Sequence, residues 1–234
     1  MNLHPNIEQV GFIEIDNQPR LIMAGNEFCG NATRSATYFY LKGKQGKIKI
    51  KVCDDIIIEA GIDSKGNVWS HMPVYSGSDV VTIVETGTSK VKMEGIIHFI
   101  IGVQKTKELL SAKEPTKEIY KELALNVFNR YAIDSYDAVG AMFLEEKEEG
   151  IKIHPVVWVK SIDTLFYETA CGSGTIAVAI LETINKGLAQ ELKIIQPSEK
   201  IITARTWFGE GRILHASISG KIETDEKQRK IEIN

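Results

Sequence analysis

The sequence predicts an α+β protein built from two similar halves, and three observations carry that expectation. The stretches 29-CGNATRSA-36 and 171-CGSGTIAV-178 repeat one pattern: cysteine, glycine, a small polar residue and, four positions after the cysteine, threonine. Each opens a helix-like run. Behind each run come apolar segments of strand length, alternating or continuous, joined by hairpin-like turns. Self-similarity of this kind is the mark of an internal repeat.

In the first half the helix is expected over residues 32–41, closed by Lys42-Gly43, with strands at 47-KIKIKV-52 and 56-IIIEAGI-62 and a turn at Gly66-Asn67. The second half repeats the order: helix over 175–185, Lys186-Gly187, strands at 192-LKII-195 and 200-KIITARTW-207, and a turn over 209–211. A lysine near the helix end followed by glycine is a sensible C-cap in both. Between the copies, Ile119, Leu123, Leu125, Val127 and Phe128 predict a helix within 115–131, with further strands at 95–103, 138–145 and 154–159. A domain boundary is placed near Met72-Pro73, where 74-VYSGSD-79 reads as connector, and 229-RKIEIN-234 is expected to return to the first domain. The division is then residues 1–75 with 224–234 around Cys29, and 76–223 around Cys171.

Composition narrows the function. A chain of 234 residues with 43% hydrophobic and 25% charged content has the balance of a soluble globular protein with room for one large or two small cores. A net charge of −3 leaves no polybasic footprint, so nucleic acid and anionic membrane are not expected partners. No apolar run reaches bilayer length. Three cysteines, Cys29, Cys53 and Cys171, make neither a disulfide framework nor a zinc-site spacing, which fits reduced thiols in a cytoplasmic protein.

A cysteine at a helix mouth lies near unpaired N–H groups and the positive end of the dipole, a setting expected to lower its pKa. The same amides can cradle a carboxylate, and Gly30 and Gly172 let the backbone approach it. Two such turns related by a repeat predict a cleft. In it a substrate carboxylate lies on the amides of Gly30-Asn31 and Gly172-Ser173, with one thiol on each face of the α-carbon. That arrangement suits two-base proton transfer, with Cys29 and Cys171 as acid and base and no metal or cofactor required. A buried small residue is the competing reading of a single Cys-Gly; packing alone does not explain its recurrence. The stretch 172-GSGT-175 lacks the lysine of a phosphate-binding loop.

These motifs resemble the diaminopimelate epimerase superfamily. Its first turn, C-G-N-G-A-R-C, corresponds to 29-CGNATRS-35, and its second, E-T-x-A-C-G-[ST]-G, to 168-ETACGSG-174 without the spacer. Within it the chain is most similar to the histidine racemases of staphylopine-type opine metallophore pathways, through 8-EQVGFIE-14, 25-GNEFCGNAT-33 and 171-CGSGT-175. The resemblance implies two pseudo-symmetric domains, each a mostly antiparallel curved sheet wrapped around a central helix. It implies Cys29 and Cys171 as the acid/base thiols, a carboxylate cradle of Gly30, Asn31, Gly172 and Ser173, and Gln9 as a pocket glutamine. It further implies a small amino acid as partner, and members of the superfamily are often homodimers.

The departures from the pattern are specific. The Glu-Arg pair that grips a distal amino-acid end falls near Asp163-Thr164, and two pocket asparagines fall at Ile96 and Ala138. A second carboxylate would be left unpaired, which disfavours diaminopimelate and favours a single amino acid, histidine first by resemblance. Only seven residues precede Glu8, so the first domain is expected to lack its N-terminal strand–helix unit. An epimerase of another amino acid, or an inactive amino-acid binder, are the alternatives.

Other residues read as follows. Cys53 is expected to be structural, and His98 either lines the cleft or sits satisfied in a strand. His4, His71, His154 and His215 have no metal spacing. Glu27 and Glu168 either cap the helix mouths, touch a substrate ammonium or are solvated. The run 145-EEKEEG-150 reads as a solvated turn, and 38-YFY-40 as helix packing.

Overall fold

The computed structural model describes residues 7–14, 18–53, 56–75, 77, 79–111, 115–131 and 136–224. A hairpin of β1 (Gly11–Glu14) and β2 (Arg20–Met23) precedes α1 (Gly30–Tyr40), and β3 (Gly46–Lys51), β4 (Ile57–Ile62) and β5 (Val68–His71) follow as a meander. Val74, bridged to Met93, leads into β6 (Val81–Glu85), β7 (Thr88–Met93) and β8 (Ile96–Ile101). Next come α2 (Val103–Leu110), α3 (Lys117–Arg130), β9 (Ala138–Lys147), β10 (Gly150–Val159), a single 3-10 turn over Lys160–Ile162, and β11 (Thr164–Tyr167). Then α4 (Gly172–Lys186) leads into β12 (Glu191–Ile195), β13 (Ile201–Gly209) and β14 (Arg212–Gly220).

This is a mixed α/β fold with one large mixed sheet. Its strand path runs β1-β2-β3-β4-β5-β14-β13-β12-β10-β9-β8-β7-β6, with β11 paired to β10 off the path. Most neighbours are antiparallel; β2–β3, β8–β9 and β10–β12 are parallel. The predicted repeat is visible in the topology. Each cysteine turn opens a helix that is followed by a three-strand meander, and the last strands of the two meanders, β5 and β14, pair antiparallel at the centre. α1 packs on β4 and β5, and α4 on β13 and β14.

The two helices differ in enclosure. Residues 171–180, the turn cysteine and the first nine residues of α4, are all buried, and Ile176 and Ile180 lose all exposure. Each such side chain contributes about 1.5–3 kcal/mol of apolar burial. α1 buries Gly30, Thr33, Arg34, Ala36 and Thr37 and leaves Phe39 49% exposed. A groove of about 1130 Å³ runs along its other side, past Gly11, Ile13, Leu21, Ala32 and Ala36. Among the described residues, then, the sheet encloses α4 and only flanks α1.

Two departures from the expected elements have local causes. Residues 95–103 are not one strand: β8 stops at Ile101, and Val103 opens α2 after the extended Gly102. The acidic run 145–150 is less loop than expected, because Glu145–Lys147 belongs to β9 and only Glu148-Glu149 reverses the chain before Gly150 at φ 136°. In 38-YFY-40, the Tyr40 hydroxyl bonds to the backbone of Glu14 and Arg20, tying the first hairpin to α1. The expected last strand 229–234 lies outside the described residues.

Candidate active site

Both cysteines occupy the N-cap of their helices with the same backbone. Cys29 has φ −126°, ψ 109° and Cys171 has φ −125°, ψ 106°. Each sulfur accepts from the amide three residues on, Ala32 N at 3.4 Å and Gly174 N at 3.3 Å. Each turn is locked by its threonine: Thr33 Oγ1 donates to Cys29 O (2.8 Å) and Thr175 Oγ1 to Cys171 O (2.6 Å). The recurring threonine therefore fixes the first helical turn, and the cysteine performs the capping that serine or aspartate usually performs. Glu27 and Glu168 do not cap either helix, contrary to one of the expectations for them.

The two mouths converge. A Cβ placed on either Gly30 or Gly172 would lie 2.8 Å from the same atom, Ile218 Cδ1; on Gly172 it would also lie 3.1 Å from Asn31 Oδ1. Asn31 Nδ2 crosses to Ala170 O at 2.8 Å, joining the first turn to the residue before the second cysteine. Gln9 joins them again: Cys29 Sγ donates to Gln9 Oε1 (2.9 Å), and Gln9 Nε2 donates to Glu168 Oε1 (3.2 Å). The Glu8 carboxylate accepts from Thr169 N at 3.0 and 3.2 Å. All seven site residues expected from the sequence, Gln9, Cys29, Gly30, Asn31, Cys171, Gly172 and Ser173, line one cavity of about 20 Å³, shared with Glu27, Phe28, Ile96, Val157, Val159 and Glu168. That volume holds about one water.

Burial dominates the electrostatics. The Cys29 thiol is pushed up to about 12, mainly by desolvation; the Ala32 and Asn31 amides pull it down, and Glu168 and Glu27 push it up. Cys171 is raised as well, by desolvation and then by Glu168. The expectation of lowered thiol pKa values is therefore corrected: the helix-mouth amides act in the expected direction and are outweighed by loss of water. Glu168, 5% exposed, is raised by the same burial to about 8, and Glu27 is raised as well.

Some functional neighbours have no local sequence signal. Gln196, fully buried, accepts from Cys171 N (2.9 Å) and donates to Thr175 Oγ1 (3.0 Å), which holds the second turn from β12. Ile96, flagged only as a missing asparagine, does line the cavity, while Ala138 does not. His98 is fully buried in β8 with both ring nitrogens unpartnered, held neutral by a pKa near 3, and is not among the cavity residues. The satisfied histidine that was expected is thus a buried but unpaired one. Cys53 is half-buried beside the core, outside this cavity. Among the described residues no group of three or more His, Cys, Asp or Glu side chains is placed to hold a metal ion, and no helix is long and apolar enough to cross a membrane.

The histidine racemase of Staphylococcus aureus is 29% identical over 238 residues, covering 94% of this chain and 82% of that one. The histidine racemase of Fusobacterium nucleatum subsp. nucleatum is 30% identical over 202 residues, covering 82% and 71%. A hydroxyproline epimerase from Agrobacterium vitis, solved with trans-4-hydroxy-L-proline bound, shares the fold at a TM-score of 0.58 and 11% identity, over 91% of this chain and 71% of that one. These relatives are racemases and epimerases. The profile described as "Histidine racemase CntK N-terminal domain" matches residues 2–227, and the chain belongs to that family.

Proposed function

We propose that the protein is an amino-acid racemase in which Cys29 and Cys171 act on opposite faces of a substrate α-carbon, with histidine as the substrate. The observation that carries this reading is the pair of cysteine N-caps with matching backbone angles lining one cavity. The substrate carboxylate lies on the amides of Gly30, Asn31, Gly172 and Ser173, which stabilise the charge that grows as the α-proton leaves. One thiolate takes that proton while the opposite thiol delivers its own to the other face. Charge is conserved: the thiolate becomes a thiol, the thiol a thiolate, and the centre is inverted. The substrate ammonium faces Glu168 and Glu27, and its positive charge favours the thiolate that burial alone opposes. No cofactor is needed for this chemistry.

Two features favour histidine over diaminopimelate. The cavity lining beyond the thiols is Phe28, Ile96, Val157 and Val159 with the carboxyls of Glu27 and Glu168, and among the described residues it includes no lysine or arginine. A distal carboxylate there would be buried without a counter-charge. An imidazole N–H instead meets Glu27 Oε2, which is buried without a partner. Family membership points the same way. The reading takes the halves as pseudo-symmetric epimerase-like domains, residues 1–75 with 224–234 and residues 76–223, that part to admit substrate to so small a cavity.

The test is proton NMR of L-histidine in D₂O with the purified protein, beside other L-amino acids and diaminopimelate. Loss of the histidine α-proton with growth of the D-isomer, absent in Cys29→Ser and Cys171→Ser, is the expected result. Exchange on a different amino acid alone would keep the mechanism and replace the substrate. Absence of exchange across the panel would overturn the racemase reading in favour of a binder.

A further inference from the structure

A second hydrogen-bonded cluster lies outside the thiol cavity. His154, on β10 and 8% exposed, places Nδ1 2.7 Å from the Tyr167 hydroxyl and Nε2 2.9 Å from Glu145 Oε2. Tyr120 of α3 stacks on the imidazole, with centroids 4.5 Å apart and planes 11° from parallel. Burial holds the Tyr167 phenol above its ordinary pKa and the His154 imidazole below its own, so the tyrosine keeps its proton and the ring is neutral near pH 7. The directions of the two bonds follow: Tyr167 donates to Nδ1, and Nε2–H donates to Glu145. Four elements, α3, β9, β10 and β11, meet at this ring, and none of the four side chains lines the thiol cavity.

The residues after Tyr167 give the cluster its use. Glu168 Oε1 accepts from Gln9 (3.2 Å), Thr169 N donates to Glu8 (3.0 and 3.2 Å), and Ala170 O accepts from Asn31 (2.8 Å). Three consecutive residues thus each cross to the first half, and Cys171 comes next. The strand that delivers them is slight. β11 has four half-buried residues and, among the described residues, pairs only with β10. Its last residue is Tyr167, so the bond to His154 holds the point from which the crossing segment starts. The first half has no counterpart: four residues before Cys29 stands Gly25, which has no side chain to anchor.

Resting on the two-thiol reading of the site, we propose that the Glu145–His154–Tyr167 chain is a positioning device. It sets residues 168–170 against the first half, and with them the placing of Cys171 opposite Cys29. The cavity has room for about one water, so in that reading the halves part for substrate and close again in register. An anchored end of β11 returns the three crossing bonds to the same partners at each closure. A misplacement of about 1 Å in such a site costs on the order of a hundredfold in rate. The three residues touch no reacting atom and act through the segment that follows Tyr167.

The experiment is amide hydrogen exchange of the ligand-free full-length protein, read residue by residue by NMR together with the ¹⁵N signals of the histidine side chains. Tyr167→Phe keeps the ring beside Tyr120 (5.6 Å between centroids) and removes only the hydroxyl. It should speed exchange of the Glu168 and Thr169 amides about five- to tenfold, the net worth of one hydrogen bond, and move the His154 Nδ1 signal. Ala204 and Ile218, paired at the centre of the sheet, should exchange as in wild type. Glu145→Ala should loosen the same two amides, and Glu145→Gln, whose carbonyl still accepts from Nε2, should restore them. Histidine racemisation should slow at least about tenfold in Tyr167→Phe. A folded Tyr167→Phe with unchanged Thr169 exchange overturns the proposal, as does equal acceleration at Ala204 and Ile218 or a His154 signal that stays in place. Glu145→Ala indistinguishable from wild type overturns it as well, whether or not Tyr167→Phe folds. Exchange and NMR need no substrate, so their outcome stands even if no amino acid racemises. Racemisation at the wild-type rate in Tyr167→Phe would sink this inference and leave the two-thiol reading intact.

Discussion

Cys29 and Cys171 hold the same backbone angles to within a few degrees, cap their helices with the same atom and are locked by the same threonine bond. Their surroundings diverge from there. The first nine residues of α4 behind Cys171 are all buried, and Gln196 ties the cysteine amide down. Among the described residues α1 behind Cys29 keeps one flank along a groove, and the cysteine bonds to the side chain of Gln9. The short turn supplies the thiol and the amides, and the packing around each helix decides what the thiol can do.

The largest effect tests whether both turns are needed. Cys29→Ser and Cys171→Ser should each lower racemisation by about 10²–10⁴-fold, and the double variant should be no worse than the weaker single one, because the two act as a unit. Chiral chromatography of D-histidine formed from L-histidine reads this directly. A single variant with near-normal turnover would break the comparison by showing that one turn does the chemistry alone.

The turns themselves were legible because their signal is local: cysteine, glycine and threonine at fixed spacing ahead of an apolar run. The strands behind them, β3, β4, β12 and β13, were legible for the same reason, to within one or two residues. The charges were not. Glu168 acquires its meaning from burial and from Gln9, 159 positions away, and Gln196 reaches Cys171 across 25 positions of sequence. The thiol pKa shows the limit most clearly: the sequence reveals the helix mouth that lowers it, but not the extent of dehydration that raises it. Helix α2 was missed because Gly102 ends a strand inside an otherwise unbroken apolar stretch.

Glu168 stands three residues before the second cysteine, and its burial should show in a stability profile. Its folded pKa, about 8, lies above the ordinary 4.5. Between those values the native state holds a proton that the unfolded state has lost, so stability falls as pH rises through this window and levels off above it. Glu168→Gln should flatten that decline, on the order of 3 kcal/mol across the window. Urea unfolding of both proteins at pH 5 and pH 8.5 measures it, and parallel profiles would mean that Glu168 is ionised in the folded protein at neutrality.

Gly174 separates the turns sterically. Its counterpart in the first turn is Ala32, which carries a Cβ; at Gly174 a Cβ would collide with Met142 Sδ and lie 3.1 Å from Cys171 Sγ. Gly174→Ala should therefore cost about 1–3 kcal/mol from overpacking, while Ala32→Gly costs about 0.5–1 kcal/mol from lost helix propensity. Denaturant midpoints distinguish the two. Equal losses would mean that α4 is less tightly held than its burial implies.

The smallest contrast concerns the residues two places after each cysteine. Asn31 donates to Ala170 O across the cleft and accepts from Arg34, so Asn31→Ala removes two bonds and leaves a buried guanidinium without its acceptor. A loss of about 1–3 kcal/mol is expected, with a rise in KM because the bridge to Ala170 O that holds the two turns together is lost. Ser173 Oγ lies 3.6 Å from Cys171 Sγ, a weak hydrogen bond to sulfur and its one side-chain bond among the described residues. Ser173→Ala should then cost no more than about 0.5 kcal/mol and change KM little, since the backbone amide proposed to cradle the carboxylate remains. If the serine variant proved the more damaging, the second turn would depend on its side chain where the first depends on its bridge. The two mouths would then bind the carboxylate by different groups despite their shared backbone.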